Sequence, residues 1–339
     1  MLGSIQLLRA FAAWIVVFHH YIQIFYGFNT DIPVGIFLAK YGAIGVDIFF
    51  VISGFVIFNA VQNKYPTPLE FAKQRLFRIV PAYWLFTAIV AASIIYFPSI
   101  LYYAKYETVF TIQSMLFIPA INPSGMGMLP LITVGWTLNY EMAFYAVFFL
   151  ALFAPKRFLM PLLLIGIFTL QYALPKLGGT FVFYGRPIVY EFLLGVVIAE
   201  AYRRGLIKKI SFPFAMIAIA SSILTIWFRD GVKHDPVWDG IPCALIIAAL
   251  ISLERYTGRF RIANKLGDWS YSTYLCHPII TFAILNLQRK GYMSESTSLF
   301  AVCTLVLFVS WVSYTFIERP IVKASKRNSG RLAEASSVN

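Results

Sequence analysis

Arg9 and His20 lie in the first hydrophobic segment, IQLLRAFAAWIVVFHHYIQIFYGF, with nothing nearby in the sequence to neutralise them. An ionisable group within a membrane span is costly and marks a functional site by default. A neutral imidazole accepts a proton near neutral pH, and a guanidinium supplies a fixed charge for a phosphate or an oxyanion. Eleven residues at about 100° each make roughly three turns plus 20°, so the two share one helix face about 16 Å apart. His19 points about 80° away from Arg9. The partner of the arginine is therefore His20.

Four further groups carry chemistry at membrane depth. GAIGVDIFFVISGF places Asp47 and Ser53 among apolar residues with Gly42, Gly45 and Gly54. Close helix packing accounts for the glycines, whereas a carboxylate there wants a partner or water. In FAKQRLFRIVPAYW, Arg75 and Arg78 share a helical face before Pro81. They read either as a positive anchor at the lipid headgroups or as a fork for a phosphorylated cytosolic ligand. In VGWTLNYEMAFYAVFF, Thr137, Glu141 and Tyr145 form a polar stripe while Asn139 points elsewhere. Glu141 suits acid or base chemistry, or an ion pair to Arg9 or Arg186. In GDWSYSTYLCHP, Ser270, Tyr274 and His277 form another stripe. A lone buried histidine is more often a satisfied core residue, and that reading is favoured for His277. Glu318-Arg319-Pro320 reads as an interfacial anchor closing the last span.

The elements that must position these residues are membrane helices. The chain is 59% hydrophobic and 13% charged, with a mean hydropathy of +0.73, against about 25% charged residues in soluble proteins. Hydrophobic spans are predicted at about 5–26, 43–62, 79–99, 131–153, 158–174, 182–201, 211–228, 237–253, 268–287 and 298–318. Stretch 100–130 reads as a long extracytoplasmic loop whose VFTIQSMLFIPA piece forms a helix at the interface or dipping part-way in. The first segment lacks a small-x-small cleavage site and is expected to be a retained helix rather than a signal peptide.

The net charge of +13 encodes topology rather than nucleic-acid binding. Alternate loops carry Lys64, Lys73, Arg75 and Arg78, then Lys156 and Arg157, then Arg203, Arg204, Lys208 and Lys209, then Arg255, Arg259, Arg261 and Lys265. Arg319, Lys323, Lys326, Arg327 and Arg331 follow at the C-terminus. The opposite loops hold only Lys40, Lys105, Lys176, Arg229, Lys233, Arg289 and Lys290. The positive-inside rule then gives an all-α, polytopic membrane helix bundle of about ten transmembrane helices with both termini cytoplasmic. Residues 1–320 read as a single transmembrane domain and 321–339 as a basic, disordered cytoplasmic tail. Cys243, Cys276 and Cys303 lie in apolar spans without CxxC spacing, so no metal site is expected. No internal repeat of the transporter kind is evident.

In order along the chain, Arg9-x10-His20, GVDIFFVISGF, Arg75-x-x-Arg78 before Pro81 and Tyr83, WTLNYEMAFY, WSYSTYLCHP and ERP resemble the acyltransferase-3 family of integral membrane acyltransferases. Each piece alone is weak, and six in register are specific. Asn139, two before Glu141, departs from the small residue expected there.

The resemblance implies transfer of an acyl group, usually acetyl, from cytosolic acyl-CoA as donor substrate to a hydroxyl of a surface glycan or lipid-linked saccharide. No permanently bound cofactor is implied. It maps His20 as the catalytic histidine and Arg9, Arg75 and Arg78 as functional arginines, the three arginines toward acyl-CoA; Glu141, from its own stripe, joins His20 and Arg9 as a catalytic candidate. Asp47, Ser53, Tyr145, Ser270, Tyr274 and His277 are secondary candidates. A neutral imidazole oriented by a carboxylate would act as general base or as acyl acceptor. It implies a stand-alone member without an SGNH-type domain, in a bacterial inner membrane. Two other classes compete: a secondary transporter of an anionic metabolite, and a haem b protein using His20 and His277 as axial ligands.

Overall fold

A computed structural model describes residues 2–325, and every regular element among them is helical. In chain order the α-helices are α1 (Gly3–Tyr26), α2 (Pro33–Tyr41), α3 (Ile44–Lys64), α4 (Pro68–Tyr96), α5 (Thr108–Met115), α6 (Trp136–Ala151) and α7 (Leu159–Phe168). They continue with α8 (Glu191–Arg203), α9 (Phe212–Phe228), α10 (Ile241–Ser252), α11 (Glu254–Thr257), α12 (Arg261–Arg289) and α13 (Glu295–Ser313). The chain is an all-helical, polytopic membrane protein.

Each predicted span overlaps one of these helices, but the span at 182–201 is broken, its segments Gly179–Gly185 and Pro187–Arg203 meeting at a bend of 60°. By length and hydropathy alone, five helices among the described residues are long and apolar enough to cross a membrane, or six if one bent pair counts as a single span. The shortfall from ten has a physical reason. α9 and α10 are apolar but short, α6 has 16 residues, and α12 carries Lys265, Asp268 and His277. Two of the helices that fail the test are those holding candidate site residues.

By contacts the chain divides into two compact units, one of Met1–Tyr65 with Ile167–Tyr274, the other of Pro66–Gly166 with Leu275–Asn339. Neither is a contiguous piece of the 1–320 stretch.

In the first unit α3 is held by close backbone approach on two sides. A methyl at Gly45 would overlap the Ala12 carbonyl oxygen of α1, and one at Gly54 the Phe192 carbonyl oxygen of α8. Small residues permit this contact, the van der Waals packing that lipid-embedded helices rely on. The N-terminus of α1 has no cap of its own. The Glu254 carboxylate closes it, accepting from the Gly3 amide at 2.6 Å and the Ser4 amide at 2.9 Å, an anion on the positive end of the helix dipole.

In the second unit α4 opens with a capping box. Thr67 Oγ1 accepts from the Glu70 amide and Glu70 accepts from the Thr67 amide, with Pro68 in the first turn. Stacked Phe71 and Phe148, 5.6 Å between ring centroids, join α4 to α6. In the 100–130 stretch, α5 is the expected short helix. It is pinned to α4, because Tyr83 Oη donates to the Ser114 carbonyl at 3.0 Å and Trp84 Nε1 to that of Met115 at 2.9 Å. Past α13 the helix runs on to Ser325. From residue 326 on, the reading of 321–339 as a disordered tail lies outside the described residues.

Candidate active site

His20 is half-buried on α1, and its Nδ1 lies 3.0 Å from the Val16 carbonyl oxygen one turn earlier. A carbonyl only accepts, so Nδ1 carries the hydrogen and Nε2 is the basic nitrogen. The orienting role expected of a carboxylate at Nδ1 is taken here by backbone. His19 Nδ1 is satisfied likewise by the Leu38 carbonyl at 2.9 Å. The two imidazoles meet edge to face, 5.3 Å between centroids and 83° between planes.

Arg9, half-buried on the same helix, donates from Nη1 to Gln6 Oε1 at 3.3 Å, and Gln6 Nε2 donates to Asp268 Oδ1. The polar link that sequence proximity did not supply thus comes from α12. Ser270 is buried and donates to the Gly267 carbonyl at 2.8 Å, a local bond. Tyr274 packs edge to face on Phe49 at 5.9 Å, and Ser53 is half-buried on α3.

Asp47 is fully buried, and its expected partner is His234, whose Nδ1 stands 2.9 Å from Asp47 Oδ2. His234 sits in the loop between α9 and α10 at φ 58°, a left-handed conformation that non-glycine residues seldom adopt. Asp239 Oδ2 accepts from the backbone amides on either side of it, Lys233 at 3.1 Å and Asp235 at 3.0 Å. The Val232 amide ties the loop to the Lys40 carbonyl at 2.9 Å. Glu191, at the start of α8, is completely buried and interacts electrostatically with Asp47 and Asp239. Burial pulls the His234 pKa down, but the Asp47 charge and hydrogen bond, with Asp239, overcome it and raise the value above 6.5.

His234, Glu191 and Asp239 were missed in the sequence. The rule that selected Asp47, an ionisable residue at the edge of an apolar span, would also have found Glu191 and Asp239. His234 had no such signal, because it stands in a polar loop.

In the second unit, Tyr145 Oη donates to Glu141 Oε1 at 2.5 Å, as the four-residue spacing predicted. Arg75 and Arg78 lie within electrostatic range of the Tyr145 hydroxyl. The Arg75 guanidinium sits 5.6 Å from the centre of the Phe71 ring, and its buried Nε has no hydrogen-bond partner. Arg78 Nη1 is 3.6 Å from Glu318 Oε2. Glu318 is therefore a buried partner of Arg78, not the interfacial anchor read from the sequence. Thr137 donates locally to the Val134 carbonyl at 3.1 Å. His277 is fully buried, and Thr281 Oγ1 donates to its carbonyl at 2.7 Å.

The first unit thus gathers the His20–His19 pair, the Arg9–Gln6–Asp268 chain and the cluster of Asp47, His234, Glu191 and Asp239. The second gathers Arg75, Arg78, Glu141, Tyr145 and Glu318. One unit offers a base, the other a cationic fork beside a carboxylate–phenol pair. Cys243, Cys276 and Cys303 are thiols outside any disulfide, and no group of three or more His, Cys, Asp or Glu side chains able to hold a metal is found among the described residues.

Comparison with known proteins completes the description. Residues 2–315 match the acyltransferase-3 family profile, described as an acyltransferase domain. The chain is similar to the exopolysaccharide production protein ExoZ of Rhizobium meliloti, 32% identical over 314 residues, which covers 86% of this chain and 95% of the relative. It is also similar to the O-acetyltransferase OatA of Staphylococcus aureus, 25% identical over 320 residues, covering 83% of this chain and 53% of that protein. No solved structure matches the chain.

Proposed function

The chain belongs to the acyltransferase-3 family and is a membrane O-acyltransferase, and from that premise we propose that it moves an acetyl group from cytosolic acyl-CoA to a hydroxyl of an exported glycan. The observation that carries the proposal is the tautomer of His20. With Nδ1 bonded to the Val16 carbonyl, Nε2 is the nitrogen that carries the ring's lone pair.

In this reading Nε2 takes the proton of the acceptor hydroxyl as the new oxygen–acyl bond forms. The thioester carbon–sulfur bond breaks, the CoA sulfur leaves as thiolate, and the proton held on Nε2 passes to it, directly or through water, so that CoA leaves as the thiol and the base is restored. Whether as base or as acyl acceptor, Nε2 works only unprotonated. Arg75 and Arg78 are assigned to the phosphates of CoA, which guanidinium groups bind bidentately. The buried, unbonded Nε of Arg75 supports that assignment. Arg9, about three turns from His20, is assigned to the pyrophosphate end or to the developing oxyanion. The glycan acceptor rests on the name of ExoZ, an exopolysaccharide production protein, and the acetyl group on that of OatA. The loop charges support both termini on the cytoplasmic side, and the bacterial origin of ExoZ and OatA supports placement in a bacterial cytoplasmic membrane.

The test is incubation of the purified protein in proteoliposomes with labelled acetyl-CoA and a candidate polysaccharide. Label appearing on the polysaccharide, with loss of acetyl-CoA, supports the proposal. Flux of an anion without acyl-CoA consumption would point to a transporter and overturn it.

A further inference from the structure

We propose that Asp268 is a positioning residue for the reaction: through the Gln6 amide it fixes the direction in which Arg9 presents its guanidinium. This rests on the reading of Arg9 as the residue that meets acyl-CoA or the developing oxyanion.

The geometry carries it in three steps. First, the start of α1 is held at one height and one rotation by the chain that runs from α11 into α12. The Glu254 carboxylate accepts from the Gly3 and Ser4 amides. A methyl at Gly3 would overlap the backbone of Gly258, and one at Gly267 the Gln6 carbonyl oxygen. Backbones packed this closely leave little freedom to slide or turn. The contact at Gly267 thereby delivers its neighbour Asp268 to the Gln6 side chain.

Second, the buried Gln6 amide is satisfied in one orientation only. Its Nε2 donates to Asp268 Oδ1, and its Oε1 accepts from Arg9 Nη1 at 3.3 Å. A carboxylate has no hydrogen to give and a guanidinium no lone pair to accept with, so turning the amide over would set like against like at both ends. Asp268 thus decides which end of Gln6 faces Arg9.

Third, the guanidinium is the group that gains from being held. A long side chain loses rotamer freedom when it engages a ligand, and a contact made beforehand removes part of that cost. Arg9 is half-buried on α1, so the direction it takes from Gln6 is the direction in which it meets the donor or the oxyanion. Misalignment by a fraction of an ångström at such a group slows the reaction.

The test is steady-state transfer of label from acetyl-CoA by purified Asp268→Ala, Gln6→Glu and the double variant Gln6→Glu/Asp268→Asn, with thermal midpoints to verify folding. Asp268→Ala lowers kcat/KM for acetyl-CoA about three- to tenfold in protein that remains folded. Gln6→Glu, which sets two carboxylates against each other, does the same. In the double variant the asparagine amide donates to the new carboxylate, the donor–acceptor order is restored, and most of the loss is regained. Should Asp268→Ala not fold, the comparison of Gln6→Glu with the double variant carries the test. An unmoved kcat/KM in folded Asp268→Ala, or a double variant that regains the thermal midpoint but not kcat/KM, would reduce Asp268 to a structural contact and overturn the proposal. So would a loss in Asp268→Ala greater than that in Arg9→Ala, since a residue acting through Arg9 cannot matter more than Arg9. An Arg9→Ala control with wild-type kcat/KM would instead sink the reading of Arg9 itself.

Discussion

Arg78 and Glu318 stand 3.6 Å apart, although 240 residues of sequence separate them, and the glutamate is buried while the arginine reaches the surface. The ion pair ties the ERP sequence near the C-terminus to the arginine pair of α4. Replacing Glu318 with Gln is expected to lower the thermal midpoint by several degrees and to raise the KM for acyl-CoA. A midpoint shift with an unchanged KM would make the pair purely structural.

Arg75→Ala and Arg78→Ala are expected to raise the KM for acyl-CoA about tenfold each with kcat less affected, the cost of losing a charge-assisted phosphate contact. Lysine at either position recovers only part of the loss, since a point charge cannot make the bidentate contact. Steady-state kinetics against donor concentration decides this, and an unchanged KM returns both arginines to the role of membrane anchor.

Tyr145 and Glu141 are expected to act as one unit. The 2.5 Å bond between them predicts that Tyr145→Phe and Glu141→Gln each reduce kcat/KM. It also predicts that the double variant loses less than the product of the two, with a coupling of about 1–2 kcal/mol. A double-mutant cycle on label transfer measures it, and strictly multiplicative losses would show that the bond does not matter to turnover.

The approach of α3 to α8 leaves no room for a side chain at Gly54 or Gly195, where a methyl would overlap the carbonyl oxygens of Phe192 and Val51. Alanine at either site is expected to cost about 1–3 kcal/mol or more through forced separation of the helices. Thermal unfolding in detergent reads this directly. A variant as stable as the wild type would show that the two helices have slack to part.

The Asp47–His234 pair makes stability depend on pH with a definite sign. The folded-state pKa of His234 is raised above the ordinary 6.5, so the folded protein binds the proton more tightly than the unfolded chain. Its contribution to stability is fully present below 6.5 and is lost as pH rises through the raised value. The thermal midpoint of the wild type is expected to exceed that of Asp47→Asn most at mildly acid pH, the gap narrowing as pH rises. A gap that widens with pH would reverse the assignment.

Features that depend on local helix geometry were legible in the sequence, and features that depend on distant pairing were not. Glu141 and Tyr145 could be paired because four residues make one turn. The glycines of GVDIFFVISGF were legible as close packing, and the longer helices as apolar runs. Asp47 announced that it needed a partner, but nothing local could say that the partner was His234, 187 residues away. Arg9 looked isolated for the same reason, since Asp268 reaches it through Gln6 only once α1 and α12 are folded. Glu318 was misread because Glu-Arg-Pro at the end of a span has the composition of an interfacial stop, and burial is not visible in composition.

The proposed reaction turns on His20, whose Nδ1 is bonded to the Val16 carbonyl at 3.0 Å, so that Nε2 carries the lone pair. The most direct measurement is transfer of label from acetyl-CoA to polysaccharide by purified His20→Ala and His19→Ala, each checked for folding by its thermal midpoint. The account predicts that transfer is lost in His20→Ala and retained in His19→Ala. Transfer by a folded His20→Ala protein, or equal loss in both variants, would contradict it.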